Sequence, residues 1–172
     1  MHKLIVNDDN LREEDITNYM MKGKVLMINS KNQILLGYSY NEYQFIGGTK
    51  ETNEDLLDTV KREIEEETGI NSKDFILKPF ACNIGYHKDW PKEGENQKLE
   101  IYYYELFTDL EPIEENMNLT EWEKNGNFEL RYIDMDKVEE ELRSNALKYG
   151  DPHGIASEML CLLNLYGNMN GR

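Results

Sequence analysis

Residues 48–70 read GTKETNEDLLDTVKREIEEETGI, and the interpretation of the whole chain starts from this stretch. Apolar residues recur at helical spacing between residues 54 and 68, which predicts an amphipathic helix. Gly69 ends the pattern, as glycine often does at the C-terminus of a helix. At about 100° per residue, one apolar stripe should pack this helix on the remainder of the protein. The stripe contains Leu56, Leu57, Val60 and Ile64.

Three glutamates of the predicted helix converge along one edge of this stripe. On the helical wheel Glu67 lies inside the apolar sector, Glu63 lies on its border, and Glu66 lies next to both. Glu63 and Glu67 form a like-charged pair, and the C-terminus of a helix disfavours negative charge. A divalent cation would remove these penalties, and a cluster of oxygen ligands suits Mg²⁺ or Mn²⁺. The alternative is an ordinary acidic face, solvated or paired with Lys and Arg.

A glycine pair, Gly47-Gly48, directly follows the apolar run 43–46. Glycine permits backbone angles and close approaches that a side chain would forbid. A backbone carbonyl there, that of Gly48, is therefore a candidate to complete a metal shell. By itself, however, a glycine pair indicates no more than a turn.

The flanking sequence combines strand and helix patterns. The apolar runs 24–29 and 33–38 are separated by Ser30-Lys31-Asn32, which predicts a hairpin. Strands that occur both in hairpins and around a helix predict an α/β fold, with a mixed β-sheet flanked by helices. The other predicted elements are strands at 75–86, 99–107 and 128–133, helices at 135–147 and 155–166, a polar loop at 87–98 and an acidic connection at 109–126.

The quoted stretch resembles a known signature. Gly48-x5-Glu54-x7-Arg62-Glu63-Ile64-x-Glu66-Glu67-x-Gly69-Ile70 matches every fixed position of the Nudix box, the signature of the Nudix hydrolases. The box covers about an eighth of the chain. The flanking strands and closing helices are similar to the α/β/α sandwich of that family. In one departure, Ile46 stands where many members have proline before the two glycines.

The resemblance implies metal-dependent hydrolysis of a nucleoside diphosphate that is linked to another moiety, X. By motif position, Glu63, Glu66 and Glu67 would be the metal ligands. Arg62 would hold a motif glutamate by a charge-assisted bond and would not touch the substrate. Glu54 falls near 180° on an ideal wheel, away from the carboxylate cluster, so it receives an auxiliary, structural role.

The general base that deprotonates the attacking water often lies outside the motif in this family. Direct action by Glu66 or Glu67 is an equally open alternative. In a chain with 34 Asp and Glu residues, any other single carboxylate is more often plain surface. The candidates in the acidic connection are Glu121 and Glu123, and the further candidates are Glu95, Glu100 and His87.

Substrate selection should depend on loops at the ends of the sheet. His87 and Trp90, in the polar loop, are candidates to stack on a nucleobase. The competing interpretation is that these side chains anchor their own loop.

The net charge of the chain limits the classes of partner that it is expected to bind. The chain of 172 residues has 34 Asp and Glu against 19 Lys and Arg, a net charge of -15. This balance argues against a protein that binds nucleic acid through its phosphates and against a polybasic membrane contact. An anionic small molecule is compatible with it when divalent cations lie between substrate and protein. The two cysteines, Cys82 and Cys161, make no disulfide framework, and no apolar leader is seen, so a cytoplasmic location is expected.

Together these features predict a Nudix hydrolase domain over residues 22–172, with residues 1–21 as an N-terminal segment packed on it. The expected substrate is a small nucleotide such as ADP-ribose, a nucleotide sugar or a (d)NTP, and a homodimer is expected from the family. Removal of a 5′ cap or pyrophosphate from RNA is an alternative, but no cluster of Lys and Arg offers a track for the RNA. A non-catalytic nucleotide sensor is the other alternative, although the box is intact.

Overall fold

The computed structural model describes residues 1–171 of the chain. In this part of the chain the predicted strands and helices are present, with short 3₁₀ turns at Glu13–Asp15 and Glu114–Asn116. In chain order the elements are β1 (His2–Val6), β2 (Asn18–Ile28), β3 (Gln33–Ser39), β4 (Glu42–Gln44), β5 (Ile46–Thr49), α1 (Leu56–Thr68), β6 (Lys78–His87), β7 (Gln97–Phe107), α2 (Glu121–Asn125), β8 (Glu129–Asp134), α3 (Val138–Tyr149) and α4 (Ile155–Met169).

The strands form a sheet in the order β1-β6-β7-β2-β3-β4, with β5 also paired to β2 and β8 to β3. The pairs β1–β6 and β2–β7 are parallel, whereas the other pairs are antiparallel. The predicted mixed sheet is therefore confirmed. The predicted hairpin is β2–β3, in which Met27 lies opposite Leu35 and Ile28 opposite Ile34.

Apolar side chains of the central strand alternate between two cores, one on each face of the sheet. Leu26 and Ile28 of β2 belong to a cluster that also contains residues of α3 and α4. Val25 and Met27, the intervening residues, belong to a second cluster, which α1 covers. The sheet is thus enclosed between α1 and the two closing helices, which confirms the predicted α/β/α sandwich. The helical residues of these clusters are Val60, Ile64, Val138, Leu142, Met159, Leu162 and Tyr166.

Helix α1 begins two residues later than the spacing predicts. Asp55 caps it by accepting a hydrogen bond from the Asp58 N–H at 2.9 Å, and Gly69 ends it in the left-handed region with φ of 70°. The predicted packing of Leu57 on the sheet is wrong, because its side chain is 44% exposed. Leu57 shares its side of the helix with the buried Ile64, but it lies in the first turn, and neither apolar cluster includes it.

The N-terminal segment takes part in the sheet. Residues 1–21 supply β1 at the edge, parallel to β6, and the beginning of β2. The expected boundary after residue 21 falls within β2, and the division of the chain at that point remains a prediction. Among residues 1–171, no helix has the length and apolar character needed to cross a membrane.

The acidic connection 109–126 differs from its prediction, because it contains the short helix α2. Thr120 and Glu123 form a capping box at its start, each satisfying a backbone N–H of the other. This helix brings two side chains to the site described below.

Candidate active site

Strand β5 brings a backbone N–H to the end of α1. Gly47 has φ of 137°, and a Cβ atom at this position would overlap the carbonyl oxygen of Gly23 on β2. Glycine is therefore required for β5 to pair this closely with β2. The N–H of Gly47 donates to Oε2 of Glu67 at 2.9 Å.

Glu67 is buried, as its place on the helical wheel predicts, and is only 2% exposed. Burial raises the pKa of its carboxyl group well above the ordinary value, and the bond from Gly47 opposes this. The nearby carboxyl groups of Glu63 and Glu123 raise it further. No cation among the described residues forms an ion pair with Glu67, because Arg62 pairs with Glu54, Glu63 and Glu66 instead.

Glu63 lies against the backbone of the second glycine. A Cβ atom at Gly48 would overlap the Glu63 carboxylate as it lies here, so a side chain at this position would displace that carboxylate. Burial raises the pKa of Glu63, while the charge and hydrogen bond of Arg62 lower it. The close contact between Gly48 and Glu63 brings a carboxylate and the peptide backbone together, as an oxygen-ligated cation site requires.

Arg62 connects the remaining glutamates of the box. Its guanidinium donates to Glu63 at 2.8 Å and to Glu66 at 3.0 Å. It also donates two bonds to Glu54, at 3.0 and 3.3 Å, which lower the pKa of that carboxyl to about 2. The expectation that Glu54 lies away from the cluster is wrong, because Glu54 precedes the helix and reaches Arg62 from the loop.

The donor set fits a hard divalent cation. Within residues 1–171, no three Asp, Glu, His or Cys side chains are already gathered around one point. Arg62 holds Glu63 and Glu66, while Gly47 holds Glu67. All of these candidate ligand atoms are carboxylate oxygens. Two of the carboxylates, Glu63 and Glu67, are desolvated. Glu67 has no cationic partner in the described part of the chain: it interacts with the Gly47 N–H and with the carboxyl group of Glu123. This combination suits Mg²⁺ or Mn²⁺.

A cleft of about 810 Å³ opens over Glu63 and Glu67, whereas Glu66 is not among the residues that line it. Glu123 of α2 lines it together with Glu63 and Glu67. The other candidate base in this segment, Glu121, does not reach the cleft; its side chain is 86% exposed and pairs with Lys124 at 3.2 Å. Of the two candidates, the fold brings only Glu123 to the box.

The remaining candidates lie elsewhere. Glu100 is buried but accepts hydrogen bonds from its own surroundings. Glu95 pairs with Lys92 at 2.8 Å. His87 and Trp90 are both exposed, and neither is among the residues that line the cleft.

Two lysines of β2 face the cleft from the strand beside β5. Lys24 pairs with Glu158 of α4 at 3.3 Å. Lys22 is partly buried, and the described residues give its ammonium group no hydrogen bond and no ion pair. Burial lowers its pKa and the charge of Lys24 lowers it further, against the opposing effect of the Glu158 and Glu63 charges. A desolvated ammonium without a partner is suited to receive an anion.

The arrangement of β5, α1 and the cleft agrees with a comparison against known families. The model of the NUDIX domain matches residues 16–150. The chain belongs to the Nudix family. At the level of the family it is a Nudix pyrophosphohydrolase.

Solved structures of other Nudix proteins share the fold. A MutT protein from work on Aliivibrio salmonicida and Vibrio cholerae has a TM-score of 0.51 at 15% identity, covering 84% of this chain and 94% of that one. The C. elegans Ap4A hydrolase, in a binary complex, has a TM-score of 0.53 at 12% identity, covering 88% of this chain and 98% of that one. At these identities the likeness concerns the fold alone. A search of curated protein sequences gave no match.

The Nudix box does not reveal three residues that the cleft contains: Lys22, Lys24 and Trp122. Lys22 and Lys24 are two positions apart on a strand and so share one face, a pattern that was available in the sequence. Trp122 follows Thr120 in the capping pattern Thr-x-x-Glu, which indicates a helix start inside the acidic connection. The sequence did not indicate that this helix would meet α1.

Proposed function

We propose that this chain hydrolyses, with Mg²⁺ or Mn²⁺, the diphosphate of a nucleoside diphosphate linked to a moiety X. The observation that carries the proposal is the buried Glu67, whose pKa is raised by two neighbouring carboxylates and which forms no ion pair with a cation among the described residues. A carboxylate in such surroundings is costly unless a cation joins it. The intact box and the family support the same reaction.

In this proposal Glu63, Glu66 and Glu67, with the carbonyl of Gly48, hold the ion. When bound, the ion neutralises phosphate oxygens and lowers the pKa of the attacking water. Arg62 positions these ligands and does not contact the substrate: its hydrogen bonds keep Glu63 and Glu66 on one side of the helix.

Glu123 is the proposed base, or the group that orients the water. It lies close enough to Glu67 to raise the pKa of that carboxyl group, and both line the cleft. The capping box holds it, because Glu123 accepts from the Thr120 N–H at 2.5 Å. One carboxylate oxygen therefore serves α2, and the other is free of that bond.

Lys22 is proposed to contact the phosphate groups. Its unpaired ammonium shares the cleft with Glu63 and Glu67, so a bridging anion would meet the ion and the lysine at once. This explains how a chain with a net charge of -15 can bind an anion.

The substrate class is tested by a screen for phosphate release in excess Mg²⁺ or Mn²⁺, coupled to a phosphatase. The panel contains ADP-ribose, nucleotide sugars, (d)NTPs and dinucleoside polyphosphates, the last because one structural neighbour is called an Ap4A hydrolase. We expect release from one class, its loss with EDTA and its return with the metal. A folded protein that binds nucleotide with metal but releases nothing across the panel would favour the nucleotide sensor.

The cytoplasmic location and the homodimer remain proposals as well. Light scattering during size-exclusion chromatography tests the second, with a mass near twice 20.3 kDa as the expected result.

A further inference from the structure

The cleft that contains the carboxylates is also lined by two exposed aromatic side chains. Tyr40, at the turn between β3 and β4, is 44% exposed, and Trp122 of α2 is 58% exposed. Both line the same cleft as Glu63 and Glu67. Their rings are 4.7 Å apart between centroids and are tilted by 41°. We call these two side chains the aromatic rim.

The rim is held rigidly by backbone contacts. The hydroxyl of Tyr40 donates to the carbonyl of Trp122 at 3.0 Å, and the N–H of Tyr40 donates to the carbonyl of Gly126 at 3.1 Å. A Cβ atom at Gly126 would overlap the Tyr40 ring, so glycine at this position leaves room for it. Both hydrogen bonds are accepted by backbone carbonyls of α2 and its C-cap, so we expect them to remain when the Trp122 side chain is changed.

The alternative interpretation is that the two rings have a structural role and only attach α2 to the β3–β4 turn. Attachment explains the contact between the rings, but it does not explain why Trp122 lines the cleft while more than half of its surface stays exposed. The chain contains a natural comparison in Trp90, which is 56% exposed but does not line the cleft. An exposed large aromatic surface beside a polar site is typical of ligand contact.

We propose that the aromatic rim stacks the nucleobase of the substrate, with Trp122 as the main contact. This inference rests on the proposed function, since it places the diphosphate at the carboxylates and the base at the aromatic rim of the same cleft. Stacking needs only the π face of the base and tolerates different bases. The rim should therefore strengthen binding of purine and pyrimidine nucleotides alike.

The test uses tryptophan fluorescence in two single-tryptophan variants, because a stacked base quenches indole emission. Trp90→Phe leaves Trp122 as the reporter, and Trp122→Phe leaves Trp90. The probes are the non-hydrolysable α,β-methylene analogues of ADP and CDP with Mg²⁺. Methylenediphosphonate with Mg²⁺ is the matched ligand that has no base.

We expect both nucleotide analogues to quench Trp90→Phe and to leave the emission of Trp122→Phe unchanged. Methylenediphosphonate should bind, by calorimetry, without quenching. Trp122→Ala should weaken binding of the nucleotide analogues by roughly 5- to 150-fold and leave the affinity for methylenediphosphonate unchanged.

Equal quenching in the two single-tryptophan variants would overturn the proposal. An equal loss of affinity for both ligand types in Trp122→Ala would also overturn it, because that result means that Trp122 only positions α2. If metal-dependent hydrolysis is intact in either case, the stacking proposal fails alone. If instead no diphosphonate binds with Mg²⁺ and the substrate screen is negative, the proposed function fails.

Discussion

Two buried glutamates in this molecule have opposite surroundings. Glu100 of β7 is 7% exposed and lies among groups that neutralise it. It accepts hydrogen bonds from the hydroxyls of Tyr19 at 2.7 Å and Tyr102 at 2.8 Å, and the ammonium of Lys98 lies 3.3 Å away. Burial raises its pKa, but these three partners outweigh the burial and the net pKa is lowered.

Glu67 of α1 is buried to a similar extent and has the opposite balance. Its carboxylate accepts one bond from the Gly47 N–H, and its charged neighbours are Glu63 and Glu123. Burial and these neighbours raise its pKa well above the ordinary value. Burial alone therefore does not distinguish a functional carboxylate from a structural one, whereas the balance of charge around it does.

The largest expected effect separates these two residues by activity. Glu67→Gln should lower kcat/KM by about 1,000-fold or more, because it removes a proposed metal ligand. Glu100→Gln should leave kcat/KM within about threefold, because Glu100 touches neither the box nor the cleft. Steady-state kinetics on the substrate found in the screen measures both. Comparable losses of kcat/KM in the two variants would show that the charge around a buried glutamate does not indicate its role.

The next largest effect concerns Glu123, the carboxylate that α2 brings close to Glu67. Glu123→Gln should lower kcat by roughly 100-fold with a smaller change in KM, since a general base acts in the transition state. Gln preserves the capping box, so the helix remains folded. Glu121→Gln, two residues away and exposed, is the matched control with unchanged kinetics. A wild-type kcat in Glu123→Gln would return the role of base to Glu66 or Glu67.

The two environments also contain contrasting lysines. Lys98 is paired with Glu13 at 2.7 Å and with Glu100, whereas Lys22 has no ion pair among residues 1–171. Lys22→Met should raise KM by roughly tenfold, because a phosphate loses a charged partner. Lys98→Met should change the free energy of unfolding and leave KM as it is. An increase in KM from Lys98→Met instead would contradict this division.

The smallest effect is a pH dependence of stability that comes from Glu100. Its pKa in the folded protein lies below the ordinary 4.5, so the unfolded chain takes up the proton first as pH falls. Glu100→Gln should cost about 1 kcal/mol of unfolding free energy at pH 7. The difference from wild type should shrink as pH drops from about 4.5 through the lowered pKa. Urea denaturation between pH 3 and 7 measures it; a difference that grows toward acid pH would reverse the assignment.

Much of the site was accessible from sequence because local spacing determines it. The burial of Glu67 and the end of α1 at Gly69 follow from positions on one helix. Leu57 shows the limit of that method, since the wheel gives direction but not whether a strand extends far enough to cover the first turn. Glu54 shows another, because a residue that precedes the helix does not follow the wheel.

The rest of the site depends on contacts between distant segments, which periodicity does not encode. The capping pattern marks Glu123 as a helix-start residue, but nothing in the local pattern shows that Glu123 and not Glu121 reaches the box. Nor does the pattern show that Trp122 and not Trp90 reaches the cleft. Trp122 and Glu123 reach the site because the connection after β7 crosses the carboxyl end of α1. There, backbone bonds from Ile113 to Thr68 and from Asn118 to Glu66 fasten the connection to the helix.

Helix α2 has five residues, and two consecutive ones face the cleft, Trp122 and Glu123. Variation in this short segment would therefore alter substrate preference and turnover in the same step. A laboratory selection for a new base that randomises residues 119–126 should recover slow enzymes first. Selections that vary only the Tyr40 side of the cleft should retain speed, because that turn carries none of the proposed catalytic carboxylates.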